Sequence, residues 1–369
     1  MSGTPVRTKL DIVIIGAGVV GLAIAAAVGE RFSGAAIGII EKNQRPGMET
    51  SSRNSGVLHA GIYYPSASHK AVLAVEGNAY LREYAQKNEI PWLPIGKMVV
   101  ATEAKQEPVL EQIAAQARIN GVVVSMLARG QVQQIEPQVR ARSALFVPST
   151  AVIDSGALIR CLYQQVRRHG VAVALGSCLH RIEKTKQGYA LFFPDGMVET
   201  SVVVNAAGLG SDQIAAMAGI DIDAIGYRLQ PIKGEYFRIA SPLPIKHLLY
   251  PIPEREGLGI HLTIDTIGGQ RLGPNAYPVL NLDYNVDEGH RQSFFEAASR
   301  YLPDLREEAL LPDYAGIRPR LYSAPGGNSD FIIQEESSRG FPNFINLIGI
   351  ESPGLTACLA IARLVRTML

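Results

Sequence analysis

Cysteine is scarce in this chain, three in 369 residues, and Cys161, Cys178 and Cys358 stand far apart. No pair has CxxC spacing and none lies beside a histidine cluster, so a disulfide framework and a thiolate metal site are both excluded; no metal is expected. All three are expected to be buried small hydrophobes in a reducing compartment. An excess of charge of one sign is missing too. The 35 Lys and Arg set against 34 Asp and Glu leave a net charge of +1, with no basic cluster. That excludes the electrostatic footprint of a nucleic-acid binder. It does not exclude an acidic small molecule, which one or two placed arginines can hold. Internal repeats and low-complexity tracts are absent, and beyond residue 28 so is any apolar run long enough to span a bilayer. The run from Leu10 to Val28, preceded by Arg7 and Lys9, has the outline of a secretory signal or membrane anchor. Asp11 and the glycines Gly16, Gly18 and Gly21 interrupt it where a strand, a turn and a buried helix would place them, and this soluble reading is the one adopted. A cytoplasmic protein is expected, with peripheral contact to the inner face of a membrane left open.

What is present is enough for two domains sharing buried surface: 369 residues, 47% of them apolar. Asp11 to Ile15 is a short β-branched run that reads as a strand buried on both faces. A glycine turn follows, then an Ala-rich helix to about Glu30, then a second strand at Ile37 to Ile40 ending at Glu41 and Lys42. The turn, Gly16-Ala17-Gly18-Val19-Val20-Gly21, is a GxGxxG. Its first glycine permits the turn, its second lets the backbone approach a pyrophosphate, and its third allows close helix–strand packing. Phosphates then meet the helix N-terminus, where free N–H groups and the macrodipole favour anions. Alone such a motif is weak. Here Glu41 stands about twenty residues on, at the end of the next strand, where a carboxylate accepts hydrogen bonds from ribose hydroxyls.

Further along, Ser51 to Gly61 reads as a Ser/Asn/Gly loop flowing into a helix, and His69 to Asn88 as an amphipathic helix. Lys97 to Ala101 reads as a strand, Glu103 to Asn120 and Ala157 to His169 as helices, Val171 to Leu175 and Val202 to Asn205 as strands. Ala206 to Gly210 is a small-residue turn before a helix from Ser211. From Tyr227 to about Ala315 recurrent prolines and short alternating runs predict a mostly antiparallel sheet. Phe344 to Ile350 reads as a buried strand, and Ser352-Pro353-Gly354-Leu355-Thr356 as the opening of a C-terminal helix. The fold class is therefore α/β, with interleaved domains: 1–85, 145–226 and 316–369 for the cofactor, 86–144 and 227–315 for the substrate.

The first βαβ unit does not separate NAD from FAD. The stretch Ser51, Ser52, Arg53, Asn54, Ser55, Gly56, Val57, Leu58, His59, Ala60 and Gly61 does, because here the chain resembles the D-amino-acid-oxidase-like FAD-dependent oxidoreductases. The run Arg53 to Tyr64, then Gly96 to Ala101, looks most like the L-2-hydroxyglutarate dehydrogenase/oxidase branch. The likeness continues in Asn205 to Gly208, Lys233 to Tyr236, Gly259 to His261, Leu272 to Asn275, Gly316 to Pro319 and Gly349 to Thr356, so it spans nearly the whole chain. It implies a Rossmann-like FAD domain with an interleaved substrate domain. It also implies a cofactor site built from the glycine turn, Glu41, Lys42, the 51–61 loop, Leu179, Ala206, Ala207, Gly208 and the residues from Ser352 to Thr356.

For the substrate, the resemblance puts a carboxylate-binding arginine in a motif like the one around Arg318. An arginine there holds a carboxylate with two parallel hydrogen bonds. Oxidising an alcohol requires removal of the hydroxyl proton as hydride leaves, a task suited to histidine. His261 is one candidate base. His59 is another, and on the flavin loop it could instead contact the ring or attach it covalently. Tyr250, Lys233 and Tyr236 are weaker candidates for substrate contacts. The reaction expected is oxidation of an L-2-hydroxy acid to a 2-oxo acid, with oxygen or a quinone as electron acceptor. An amine or amino-acid oxidase, a glycerol-3-phosphate-type dehydrogenase and a flavin-binding redox sensor stand as alternatives.

Overall fold

The computed structural model describes residues 6–253, 259–322 and 330–369. They form two compact units: Met1–Ser52, Ser155–Gln230 and Pro319–Leu369 make the first, Arg53–Asp154 and Pro231–Arg318 the second. The boundaries differ from those expected. Residues 53–85 and 145–154 fold with the second unit, because Val57, Ala60, Ile62, Val147 and Val152 bury their side chains in its hydrophobic core.

In the first unit, strand β1 (Val6–Ile15) is followed by helix α1 (Val19–Arg31) and strand β2 (Ile37–Ile40). β1 pairs in parallel with β2 on one side and with Gly196–Asn205 on the other. Ala172–Ala174 continues the parallel sheet beyond β2, and Phe341–Ile348 joins it beside Val203–Asn205. Val13 and Ile14 are fully buried, worth about 1.5–3 kcal/mol per side chain relative to exposure, so β1 is covered on both faces as its composition predicts. It starts earlier than expected because its pairing runs on along Gly196 to Thr200. α1 is apolar nearly all round. It is packed against the helices Ser155–Arg168 and Gly354–Arg366, which explains why its Ala-rich sequence shows little amphipathic contrast.

The second unit carries a large sheet in the order Tyr277–Pro278, Leu229–Ile239, Gln270–Gly273, His261–Ile264, Leu248–Pro251, Lys97–Ala101, Ser143–Val147, Ser125–Ala128. Its resolved pairings are antiparallel except that Leu248–Pro251 runs parallel to Lys97–Ala101. Register decides what each face presents. Leu248 lies beside Lys97 and Tyr250 beside Val99; Leu249 opposes Leu262, Leu262 opposes Leu272, and Leu272 opposes Phe237. Since side chains alternate along a strand, Leu249, Leu262, Leu272, Phe237 and Met98 fall on one face, and all are buried in the core. Lys97, Tyr250, His261 and Tyr236 fall on the other.

Two local readings change. The 51–61 segment does not flow into a helix: Val57–Leu58 pairs with Ala151–Val152, and the helix begins only at His69, where Ser68 Oγ accepts from the Ala71 N–H. The three cysteines are free, but only Cys358 is buried. Cys161 is half-buried and Cys178 exposed, because Cys178 sits in a surface connection between two strands. Among the described residues no helix is long and apolar enough to cross a membrane.

Candidate active site

At the end of β1 the chain turns through Gly16 at φ +102°, and a Cβ there would lie 2.5 Å from the Ala206 carbonyl oxygen. A Cβ on Gly21 would lie 1.9 Å from the Gly16 oxygen, so the turn and the helix touch backbone to backbone. Ser51 Oγ accepts the Val19 N–H at 2.9 Å, tying the following loop to the start of α1. Glu41 is buried. Its Oε2 accepts the Ala17 N–H at 2.8 Å and its Oε1 accepts both Asn43 nitrogens at 2.8 Å. A carboxylate has about four lone-pair sites, so capacity remains for ligand hydroxyls.

Gly16, Glu41, Asn43 and Ser51 line a cleft with Gly18, Met48, Thr50 and the stretch 206–208. A Cβ on Gly18 would enter it, 3.0 Å from Ser51 Oγ. The residues present thus fit the adenosine diphosphate part of a dinucleotide. The other expected contacts are mixed. Lys42 is paired with Glu49 at 2.8 Å, and the Leu179 side chain is buried in the unit's core. Helix Gly354–Arg366 starts without a side-chain cap, but the Gly354 N–H already donates to the Glu351 oxygen.

The second unit gathers the remaining candidates. Arg53 lies 4.2 Å over the Tyr284 ring, Tyr314 donates its hydroxyl to the Asn54 oxygen at 2.7 Å, and Asn54 Oδ1 accepts the Gly56 N–H. Asn78 donates to the carbonyls of Leu58, His59 and Ser149, and Asn120 to those of Gly61 and Tyr64. These two amides fix the path of the histidine-bearing loop. Nothing in the sequence pattern singled them out.

On the polar face of the large sheet, His261 is buried and stacks on Tyr250, centroids 3.6 Å apart and planes 12° from parallel. Lys97 is 1% exposed, with Nζ 4.6 Å from the Tyr250 ring centre and 4.9 Å from that of Tyr63. Burial pushes its pKa down to about 7. Burial, and then the charge of Lys97, push His59 down to about 3, so its imidazole stays neutral at physiological pH. Tyr236 stacks on Tyr314 at 4.6 Å; burial raises its pKa, offset by the Arg318 charge and a hydrogen bond with Ser55. Arg318 is half-buried and, among the described residues, makes no ion pair. Lys233 belongs elsewhere. It bonds Asp283 at 3.0 Å and lies 3.6 Å from Glu235, so this candidate is committed to structural carboxylates.

A family model described as FAD dependent oxidoreductase (DAO) matches residues 11–368. The chain belongs to the FAD-dependent oxidoreductase family. It is 35% identical to the mitochondrial L-2-hydroxyglutarate dehydrogenase of Arabidopsis thaliana, covering 97% of this chain and 83% of that protein. It is 27% identical to the L-2-hydroxyglutarate dehydrogenase of Indibacter alkaliphilus, covering 95% and 96%. Among solved structures, the FAD-bound L-alpha-glycerophosphate oxidase of Mycoplasma pneumoniae superimposes with a TM-score of 0.89 at 23% identity, covering 98% of this chain and 94% of that one; this likeness shows the fold.

As a member of the family the protein is an FAD-dependent enzyme. Gly18→Val is expected to lower bound FAD at least about tenfold, since the branched side chain fills the space a pyrophosphate needs. The flavin absorbance per chain of the purified variant measures this, and full absorbance would move the cofactor elsewhere.

Proposed function

We propose that this enzyme oxidises an L-2-hydroxy acid of the L-2-hydroxyglutarate type to the corresponding 2-oxo acid. The observation that carries the reading is the presence in one unit of Arg318, which makes no ion pair among the described residues, and of a buried imidazole, His261, on the sheet face that also carries Tyr236 and Tyr250. Relatives that carry the name L-2-hydroxyglutarate dehydrogenase in a plant and a bacterium support it.

When bound, FAD supplies the hydride acceptor, N5 of its ring. Arg318 holds the carboxylate next to the reacting carbon through two parallel N–H···O bonds, which fixes that carbon's orientation. His261 accepts the hydroxyl proton as hydride leaves. Its ring is braced by Tyr250, whose own phenol burial keeps protonated. His59 is a poor proton acceptor at neutral pH, because burial and then the Lys97 charge lower its pKa. Tyr236, close to Arg318 and bonded to Ser55, lines the same face. Oxygen or a quinone would serve as the electron acceptor.

Anaerobic mixing with a panel tests this: L- and D-2-hydroxyglutarate, L-lactate, glycerol 3-phosphate, glycine and L-proline. The L-2-hydroxy acids are expected to bleach the flavin, L-2-hydroxyglutarate fastest. Bleaching by an amine or by glycerol 3-phosphate alone would replace the proposed reaction with one of those.

A further inference from the structure

Lys97 has no assigned part in the scheme above, yet its surroundings are unusual for a lysine. Ammonium groups are almost never fully buried unless paired. Here the side chain is 1% exposed and, among the described residues, makes no ion pair. Its nitrogen is instead held between the faces of Tyr63 and Tyr250, an arrangement that favours the charged amine through the negative faces of the rings. Among the described residues, the groups around it supply no compensating charge. Burial raises the pKa values of Tyr63 and Tyr250, so both are neutral phenols, and His59 is a neutral imidazole. His261 reaches the cluster through its stack on Tyr250, and Tyr64 and Tyr236 lie close enough to Tyr250 to raise it further. The result is a cation in a wall of neutral rings, on the sheet face shared with His261 and Tyr236.

We infer that Lys97 is the second anion-binding group of the substrate site, pairing its ammonium with the carboxylate remote from the reacting carbon and so selecting dicarboxylic over monocarboxylic 2-hydroxy acids. The inference rests on the reading under Proposed function for the reaction, but not for the binding. Gly96, at φ +68°, helps to set the position: its N–H donates to the Thr150 oxygen and its oxygen accepts the Leu248 N–H, fixing the strand that aims Lys97. A buried cation awaiting its anion costs the free protein stability. The sign follows from the lowered pKa, about 7 against an ordinary value near 10.4. Between those values the unfolded chain binds more protons than the folded one, so this group makes the protein more stable as pH rises from about 7 towards 10.

The test uses the FAD-loaded parent, Lys97→Met and Lys97→Arg, with two substrates, L-2-hydroxyglutarate and L-2-hydroxyvalerate, and with glutarate as a non-reacting ligand followed by calorimetry. Lys97→Met is expected to lower kcat/KM for L-2-hydroxyglutarate on the order of 100-fold while changing that for L-2-hydroxyvalerate by less than about threefold. Lys97→Arg should restore much of the preference. Glutarate affinity of the parent should fall as pH rises through about 7 and beyond. That fall should vanish in both variants, with Lys97→Met binding weakly and Lys97→Arg tightly throughout. Lys97→Met should melt no lower than the parent at neutral pH. Equal losses with both substrates would make the amine a proton carrier or a structural group and overturn the inference. So would a parent that does not bind glutarate. A parent that binds glutarate through Lys97 but oxidises no hydroxy acid would instead sink the proposed reaction and leave the anion site standing.

Discussion

Replacing His261 with asparagine is expected to slow flavin reduction by a hydroxy acid about a hundred- to ten-thousand-fold while FAD stays bound, the usual range for loss of a general base. Asparagine keeps some hydrogen bonding and its size suits the buried site beside Tyr250, but it cannot accept a proton. The parent's kcat/KM should fall towards low pH as the imidazole takes up a proton, and that acid limb should be lost in the variant. The same change at His59 should act differently. Its imidazole is already held neutral, by burial first and then by Lys97, so His59→Asn should alter the flavin spectrum more than the acid limb. A His261→Asn enzyme with near-normal reduction rates would reduce His261 to a structural partner of Tyr250 and weaken the case for an alcohol substrate.

Removal of the Arg318 guanidinium should have the next largest effect. Arg318→Met is expected to lower kcat/KM for 2-hydroxy acids by about 30- to 1,000-fold, mostly through KM, the range for deleting one partner of a desolvated charge pair. Arg318→Lys should recover only part, since one ammonium cannot reproduce two parallel N–H bonds. FAD content should be unchanged in both. Tyr236 offers an independent readout. The Arg318 charge offsets part of the burial that raises its phenol, so Arg318→Met should push that phenol's pKa higher still. If both variants reduce flavin at the parent's rate and substrate concentration, the carboxylate is held by other groups.

The parts of this molecule legible in the sequence are those whose signal is local. The β1 run, the glycine turn and the strand Ile37–Ile40 each follow from a few adjacent residues, and Glu41 follows from its distance to them. The Lys97–Ala101 strand was equally plain as a strand. What its sequence cannot display is the face on which Lys97 lies. That depends on pairing with Leu248–Pro251, far along the chain, and a shift of one residue would exchange the faces. Lys233 failed for the same reason in reverse. As a cation beside Tyr236 it reads as a substrate contact, but it takes the strand parity opposite to Tyr236, and the carboxylates of Glu235 and Asp283 claim it. The boundary near residue 53 escaped because the loop's small polar residues conceal that Val57, Ala60 and Ile62 belong to the second core. Asn78 and Asn120 escaped because an amide that holds backbone carbonyls carries no spacing signature.

The most direct measurement is an anaerobic titration of the yellow enzyme with L-2-hydroxyglutarate, following flavin absorbance and the keto acid together. Complete bleaching, with one 2-oxoglutarate formed for each flavin reduced and no bleaching by the D enantiomer, is the predicted result. An enzyme that holds its full complement of FAD yet is left oxidised by L-2-hydroxyglutarate, while an amino acid or glycerol 3-phosphate reduces it, would contradict the account.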